Sequence, residues 1–250
     1  MKALVTGASS GIGREIAKYL DSLNYELILV ARDKDKLESL SLKLKHKPKL
    51  VVIDLLLEAN AKSLYVLTKN EDIDILINCA GFGNHGIFTE TELATDLEMI
   101  DLNIKNLHIL TKMFLKDMKK KDKGHILNVA SAAAFQPGPL MATYYATKSY
   151  VLHLTEAIWY ELKKEKSNVR ISCLCPGPVD TNFNKVAGVK FSTKSLSASY
   201  VAKYGIDKML VGKLVIVPGF KMKCARFFGK FLPYKMLMRF TYQVQRKKYK

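Results

Sequence analysis

Four times in this chain a tyrosine stands four residues ahead of a lysine: Tyr65 with Lys69, Tyr144 with Lys148, Tyr160 with Lys164 and Tyr204 with Lys208. On a helix that spacing puts both side chains on one face. A phenol held beside an ammonium suits proton donation to a carbonyl oxygen, because the cation stabilises the phenolate left behind. At least three of the four pairs should be ordinary helix surface, so spacing alone does not choose among them. The stretch Tyr144-Tyr145-Ala146-Thr147-Lys148 adds a second ambiguity, with two tyrosines ahead of one lysine. A different chemistry is written in Thr6-Gly7-Ala8-Ser9-Ser10-Gly11-Ile12-Gly13-Arg14-Glu15. There Gly7, Gly11 and Gly13 would let the chain turn tightly and bring backbone amides close to a diphosphate.

The elements that must position these residues follow from the hydrophobic pattern. A chain of 250 residues that is 48% hydrophobic can bury one sizeable core. No linker, low-complexity run or internal repeat divides it. Apolar runs at 2–6, 26–31, 49–54, 73–78, 125–130, 169–175 and 213–217 read as strands, and their continuous Val/Ile/Leu content suits strands covered on both faces. Helical patterns lie between them near 11–23, 33–46, 58–71, 92–121, 143–166 and 195–210. This alternation predicts an α/β fold with right-handed βαβ units, a doubly wound seven-stranded parallel sheet and helices on both faces. Ligands of such sheets bind beyond the carboxyl ends of the strands. The glycine-rich turn is placed there, between the first strand and first helix. Its spacing is Gly-x-x-x-Gly-x-Gly, not the Gly-x-Gly-x-x-Gly of the common dinucleotide fingerprint.

That departure points to a family. The segment Thr6 to Gly13 resembles the cofactor motif of the short-chain dehydrogenases/reductases. The resemblance continues in Asp54 after the third strand, Asn78-Cys79-Ala80-Gly81 after the fourth, and Asn103 in the long fifth helix. Ser131 after the fifth strand, Tyr144 with Lys148, and Pro176-Gly177-Pro178-Val179-Asp180-Thr181 after the sixth complete it. It covers about residues 1–217, six motifs in order. It implies a single Rossmann-type NAD(P)-binding catalytic domain over 1–217, with 218–250 as an extension. It also implies an oxidoreductase acting on CH-OH groups, assembled as a homodimer or homotetramer. The cofactor residues implied are Gly7, Ser9, Ser10, Gly11, Ile12, Gly13, Arg32, Asp54, Leu55, Asn78, Ala80, Gly81, Tyr144, Lys148, Pro176, Gly177, Val179 and Thr181. The catalytic set is Asn103, Ser131, Tyr144 and Lys148.

Position now chooses the tyrosine. Only the 144/148 pair lies near the start of a helix that follows a strand ending in a serine, thirteen residues upstream. Tyr145 leans the other way round the helix and is assigned to packing. A free phenol has a pKa of about 10. Lys148 and an oxidised, positively charged nicotinamide would lower that value. In the family the lysine also holds the nicotinamide ribose, the serine corresponding to Ser131 holds the substrate oxygen, and the asparagine corresponding to Asn103 links the lysine through water to solvent.

The second strand ends in Arg32 where NAD-preferring relatives carry an acid, which favours the 2′-phosphate of NADP(H), with NAD(H) as the alternative. Asp33 is expected to cap the next helix and not to face that phosphate. Arg14 is a candidate second phosphate contact. The segments expected to line the substrate pocket are Phe82–Phe88, Ala132–Met141 and a lid from about Asn182 to Ser199. They are apolar and carry no charge cluster, which suits a hydrophobic carbonyl or alcohol, the carbonyl reductase reading. The alternative is a dinucleotide-sensing or membrane-attached binding protein on the same fold. His85 is assigned to the loop, not to catalysis.

The net charge of +17 is concentrated at one end, since the segment from Lys208 to Lys250 holds 12 Lys/Arg and no Asp/Glu. Pro233 divides residues 219–250 into two helix-like pieces. Cys224, Phe227, Phe228 and Phe231 share a face of the first, and Leu237, Phe240 and Val244 a face of the second. A basic amphipathic helical tail with aromatic anchors suits the surface of an anionic membrane. The competing expectation is that it covers the substrate cleft or a subunit partner. No nucleic acid is expected, because no reading motif accompanies the charge. Cys79, Cys173, Cys175 and Cys224 have no metal-ligand spacing, so no metal is expected. Reduced thiols, no signal-like start and no run of 18 apolar residues point to the cytoplasm, with the tail allowing peripheral membrane contact.

Overall fold

Consecutive residues of each apolar run go to opposite faces of the sheet, so a run that is apolar throughout is covered twice. Leu4, Ile28, Leu76 and Ile126 pack on one side, while Val5, Leu29, Ile77 and Leu127 pack on the other. The computed structural model describes residues 1–183, 187–188, 195–229 and 231–247. Its strands are β1 (Lys2–Thr6), β2 (Glu26–Ala31), β3 (Lys49–Val52), β4 (Ile75–Asn78), β5 (His125–Val129), β6 (Arg170–Leu174), β7 (Val179–Asp180), β8 (Leu196–Ser197) and β9 (Val215–Ile216). Seven of them form one parallel sheet in the order β3-β2-β1-β4-β5-β6-β9. β7 and β8 make a separate short parallel pair that the sequence pattern does not announce.

The helices are α1 (Gly11–Ser22), α2 (Lys34–Ser41), α3 (Glu58–Thr68), α4 (Leu93–Ile100), α5 (Leu107–Lys121), α6 (Ala142–Lys164), α7 (Ala198–Leu210), α8 (Phe220–Gly229) and α9 (Tyr234–Arg246). α1, α2 and α7 cover one face through Ile16, Leu20, Leu37, Val201 and Ile206. α3, α5 and α6 cover the other through Leu64, Leu110, Phe114 and Leu162. Burying each such side chain stabilises the fold by roughly 1.5–3 kcal/mol. Chain order reverses between β1 and β4, and the crevice at their carboxyl ends is where the sequence placed the glycine turn.

Two helices differ from the periodicity. The pattern over 33–46 becomes a helix only to Ser41, because the buried Asp21 carboxylate accepts the backbone N–H groups of Lys45 and His46. Amides bound there cannot extend a helix. The pattern over 92–121 forms α4 and α5 joined by a π-helical turn, Asp101–Asn106. Such a turn re-aims side chains and often marks a functional site. Among the described residues, no helix is long and apolar enough to cross a membrane.

Candidate active site

The glycine turn is shaped by close backbone approach. Gly7 and Gly11 have positive φ, 67° and 53°. A Cβ on Gly13 would lie 2.4 Å from the Gly7 carbonyl oxygen, and one on Gly7 would lie 2.9 Å from the Ala80 nitrogen. The turn is therefore wedged between α1 and the loop after β4, and only glycine leaves room. Thr6 fastens the two edges: its hydroxyl donates to Ile77 O (3.2 Å) and accepts from the amides of Cys79 (3.0 Å) and Ala80 (3.2 Å). α1 starts directly behind this turn with Ser10 as its N-cap residue, so its unpaired amides face the cleft. Gly7, Ser9, Ser10, Ile12 and Gly13 line the cleft. Gly11 does not; its place behind the turn is against the Thr181 methyl, 3.2 Å from where a Cβ would sit.

At the far end of this half stand Arg32, Asp54 and Leu55. Arg32 is largely exposed, with its guanidinium 4.0 Å from Asp54. Asp54 turns its carboxylate to the Leu56 amide (3.0 Å), shaping the loop after β3. Asp33 caps α2 by accepting from the Lys36 amide (3.0 Å) and pairs with the Lys36 ammonium. Asp33 and Lys36 both line the cleft as an ion pair, which offsets the repulsion Asp33 would exert there and puts a second ammonium near Arg32. One signal could have found Lys36: its place on the first turn of the helix after Arg32. Arg14 does not line the cleft and pairs instead with Glu15 at 3.3 Å.

Asn78 also lies apart from the cleft. It is buried behind β4, donating to Thr111 Oγ1 (3.0 Å) and Asn128 Oδ1 (2.9 Å), and so ties β4 to β5 and α5. Its role visible here is to hold the strand whose following residues, Ala80 and Gly81, do form the wall. Pro176, Gly177, Val179 and Thr181 line the opposite wall. Pro176 O accepts the Ala132 amide (2.8 Å), joining that wall to the serine loop.

Ser131, Tyr144 and Lys148 meet on the cleft floor. Ser131 caps the short 3-10 turn Ala132–Phe135, its hydroxyl oxygen accepting the Ala133 amide at 3.1 Å. Tyr144 and Lys148 are both buried, 8% and 6% exposed, with the ammonium 5.8 Å from the Tyr144 ring centre. Lys148 Nζ donates to Val129 O at 3.1 Å, which anchors the cation at the end of β5. Asn103 is wholly buried on the π-helical turn, not on an exposed helix surface. It pins the loop after β4: its Nδ2 donates to Phe82 O (2.9 Å) and Thr147 Oγ1 (3.1 Å), and its Oδ1 accepts from the Phe82 amide (3.1 Å). It reaches the site from behind Gly81, whose added Cβ would meet both Asn103 Oδ1 and Lys148 Nζ.

Burial governs the titration of this floor. It pushes the Tyr144 phenol up, with a hydrogen bond from Ser131 opposing, and it pushes Lys148 down. The expectation that Lys148 lowers the phenol is therefore outweighed by desolvation. The protein by itself keeps a protonated phenol, the form that gives a proton away. Ionising it calls for positive charge brought into the cleft.

The substrate end is walled by Phe82, Met141 and Phe183, with Phe183 5.4 Å from the Tyr144 ring. Phe82 to Asn84 and Ala132 to Gln136 line it, whereas His85, Ile87 and Phe88 do not. Of the expected lid, residues 184–186 and 189–194 lie outside the described residues. The tail takes part in this wall, which was the competing expectation for it. Phe220, Met222, Phe228, Leu237, Phe240 and Val244 all line the same cleft of about 1630 Å³. Tyr145, assigned to packing, both packs beneath Gly138 and accepts a hydrogen bond from Gln245 Nε2. Gln136 Nε2 donates to Thr241 Oγ1 (2.7 Å), and His85 Nε2 lies 3.2 Å from Gln245 O.

Comparison with known proteins bears on the family and the fold. A family model described as short chain dehydrogenase matches residues 1–190. An uncharacterised oxidoreductase of Staphylococcus epidermidis is 34% identical over 204 residues, covering 80% of this chain and 86% of its own. A very-long-chain 3-oxoacyl-CoA reductase of Pyrenophora tritici-repentis is 34% identical over 195 residues, covering 74% of this chain and 56% of its own. Among solved structures, a short-chain dehydrogenase from Sphingobium yanoikuyae in complex with NADPH has a TM-score of 0.84 at 26% identity, covering 92% of both chains. A short-chain dehydrogenase/reductase from Burkholderia phymatum in complex with NAD, at 23% identity and a TM-score of 0.82 over 90% of this chain and 91% of its own, shares the fold.

Proposed function

The chain belongs to the short-chain dehydrogenase family, and on that premise we propose that it is an NADPH-dependent reductase of hydrophobic carbonyls, able to run in reverse on the alcohols. Tyr144 serves as the acid in one direction and the base in the other. The observation that carries this reading is the phenol of Tyr144, buried beside Ser131 and Lys148 on the floor of an apolar cleft.

The residues present suit a dinucleotide. Glycine at 7 and 13 lets the turn pack against Ala80 and close on itself, which leaves the amides at the start of α1 open to a diphosphate in the cleft. Lys148 is placed to hold a ribose, and Arg32 with Lys36 supplies cations for a 2′-phosphate. A bound NADPH supplies the hydride. The chain's own residues do the rest. Ser131 donates to the substrate carbonyl oxygen and holds it facing Tyr144 Oη. As negative charge develops on that oxygen, Tyr144 transfers its proton. Lys148, fixed by Val129 O, stabilises the phenolate that results. Asn103 keeps the Phe82 loop and Thr147 in place, which positions the α6 turn bearing Tyr144.

The substrate reading rests on the wall: Phe82, Met141, Phe183 and the tail's Leu237 and Phe240 offer apolar surface close to the reacting centre. Oxidation of NADPH against a panel of ketones and aldehydes of rising chain length tests it. Turnover should rise with apolar size and be faster with NADPH than with NADH. Faster turnover of charged, polar carbonyls would reverse the substrate assignment.

A further inference from the structure

The two C-terminal helices leave aromatic side chains in water at the mouth of the cleft. Phe227, Phe228 and Phe231 form a cluster with ring centres 5.4 and 5.3 Å apart, yet they are 59%, 63% and 72% exposed. Tyr234, Met236 and Phe240 extend the patch along α9 and are also mostly exposed. Contiguous exposed apolar surface of this kind marks a surface that something else covers. Phe228 and Phe240 belong at once to this patch and to the cleft lining, so patch and portal are continuous.

The charge around the patch selects what covers it. Residues 218–250 hold ten lysines and arginines and no acid. Lys221, Lys223, Lys235 and Arg239 are exposed on the same two helices. A second copy of this chain meeting the patch about a two-fold axis would bring like charge against like. An anionic lipid surface offers the opposite charge and an apolar layer beneath it for the rings. We propose that α8 and α9 dock on an anionic membrane with the portal facing the bilayer, so that a lipid-like carbonyl enters the cleft from the lipid phase.

The helices are held in the necessary pose. The inward side of α9 carries Thr241 and Gln245, both buried and bonded to Gln136 after the serine turn and to Tyr145 on α6. Met222 of α8 lies against Gly177, where a Cβ would come within 2.7 Å of it. Leu237 and Val244 face the cleft beside these polar anchors, while Phe227, Phe231, Tyr234 and Met236 are left outward in water. The substrate class rests on the proposed reductase activity; the docking surface does not.

The test uses the full chain with phosphatidylserine-containing and pure phosphatidylcholine vesicles in a sedimentation assay. Binding should occur only to the anionic vesicles and fall steeply between low and high salt. Phe227→Ser with Phe231→Ser replaces no cleft-lining residue; it should weaken vesicle binding at least about tenfold. Lys235→Gln with Arg239→Gln should weaken it on the order of tenfold. Reduction of a short soluble ketone should stay unchanged in both, while reduction of a long-chain ketone supplied in anionic vesicles should fall. Three results would overturn the proposal: no binding at low salt, unaltered binding by the serine pair, or a serine pair that splits an oligomer instead. A chain that binds vesicles but reduces no carbonyl would leave the docking standing and remove the reductase reading.

Discussion

The two ends of the cleft are built by different means. The dinucleotide end is made of backbone: glycines that admit no Cβ, amides at the start of α1, and a threonine hydroxyl stitching β1 to the loop after β4. The substrate end is made of side chains brought together from far along the chain, as in Gln136 with Thr241 and Tyr145 with Gln245, 105 and 100 residues apart. A site made of backbone tolerates no added atom. One made of side chains tolerates exchange and tunes what binds. Tyr144 sits where the two ends meet, and changing it gives the largest effect expected.

Tyr144→Phe should lower kcat for NADPH-dependent reduction by roughly 10²–10⁴-fold, the range for loss of a general acid. NADPH affinity, read by fluorescence titration, should hardly change, since only a hydroxyl at the junction is lost. Loss of activity in Tyr145→Phe with retention in Tyr144→Phe would shift the site by one residue. Because burial raises the phenol's pKa, its acid form persists above the ordinary value of about 10. The sign follows: reduction needs the protonated form, which is present below that pKa. A plot of kcat/KM for reduction should therefore show no loss from phenol ionisation between pH 6 and about 10.

Gly13→Ala contrasts the two ends directly. Its Cβ would lie 2.4 Å from the Gly7 carbonyl oxygen and 2.9 Å from its carbon, and both are backbone. Relieving that overlap costs about 1–3 kcal/mol and displaces the turn, so Tm and NADPH affinity should fall together. Gly229→Ala, at the end of α8 with nothing within 4 Å, should leave both unchanged. Equal losses in the two variants would erase the distinction between a backbone-built and a side-chain-built end.

The same distinction decides what could be read from the sequence. The seven-stranded parallel sheet followed from alternating apolar runs, since each strand and helix is encoded by its own residues. The glycine turn was legible because steric exclusion leaves a residue type behind. Asn103 was found by its motif, although its π-helical turn was not, because that irregularity depends on packing against Phe82 and Thr147. Asn78 shows the limit: its place after a strand suggested a cofactor contact, while the fold turns it toward Thr111 and Asn128. The tail's periodicity exposed its apolar face but not what that face adjoins. Only the long-range bonds to Gln136 and Tyr145 reveal that.

Within the dinucleotide end, a contact made by an exposed side chain should be the weakest. Arg32→Asp replaces the proposed phosphate partner with a repulsive charge, yet Arg32 is 72% exposed and well screened. A charge-assisted pair of about 1.5–3 kcal/mol is discounted there to about 1 kcal/mol. The ratio of kcat/KM with NADPH to that with NADH should fall about fivefold. An unchanged ratio would assign the 2′-phosphate to Lys36 alone.

The smallest effect belongs to the substrate end. Tyr145→Phe keeps the ring that packs beneath Gly138 and removes only the hydroxyl that accepts from Gln245. Gln245 is buried, so its amide loses a partner where water does not readily replace it, at about 1 kcal/mol. That weakening falls on the contact between α6 and α9 and not on the reacting groups. KM for a bulky carbonyl should rise a few-fold, while kcat for a small one stays level and NADPH affinity is untouched. A double-mutant cycle with Gln245→Ala isolates the contact: the two changes together should cost little more than either alone. If they add in full, Tyr145 and Gln245 act separately, and α9 is held over the cleft by Gln136 and Thr241 instead.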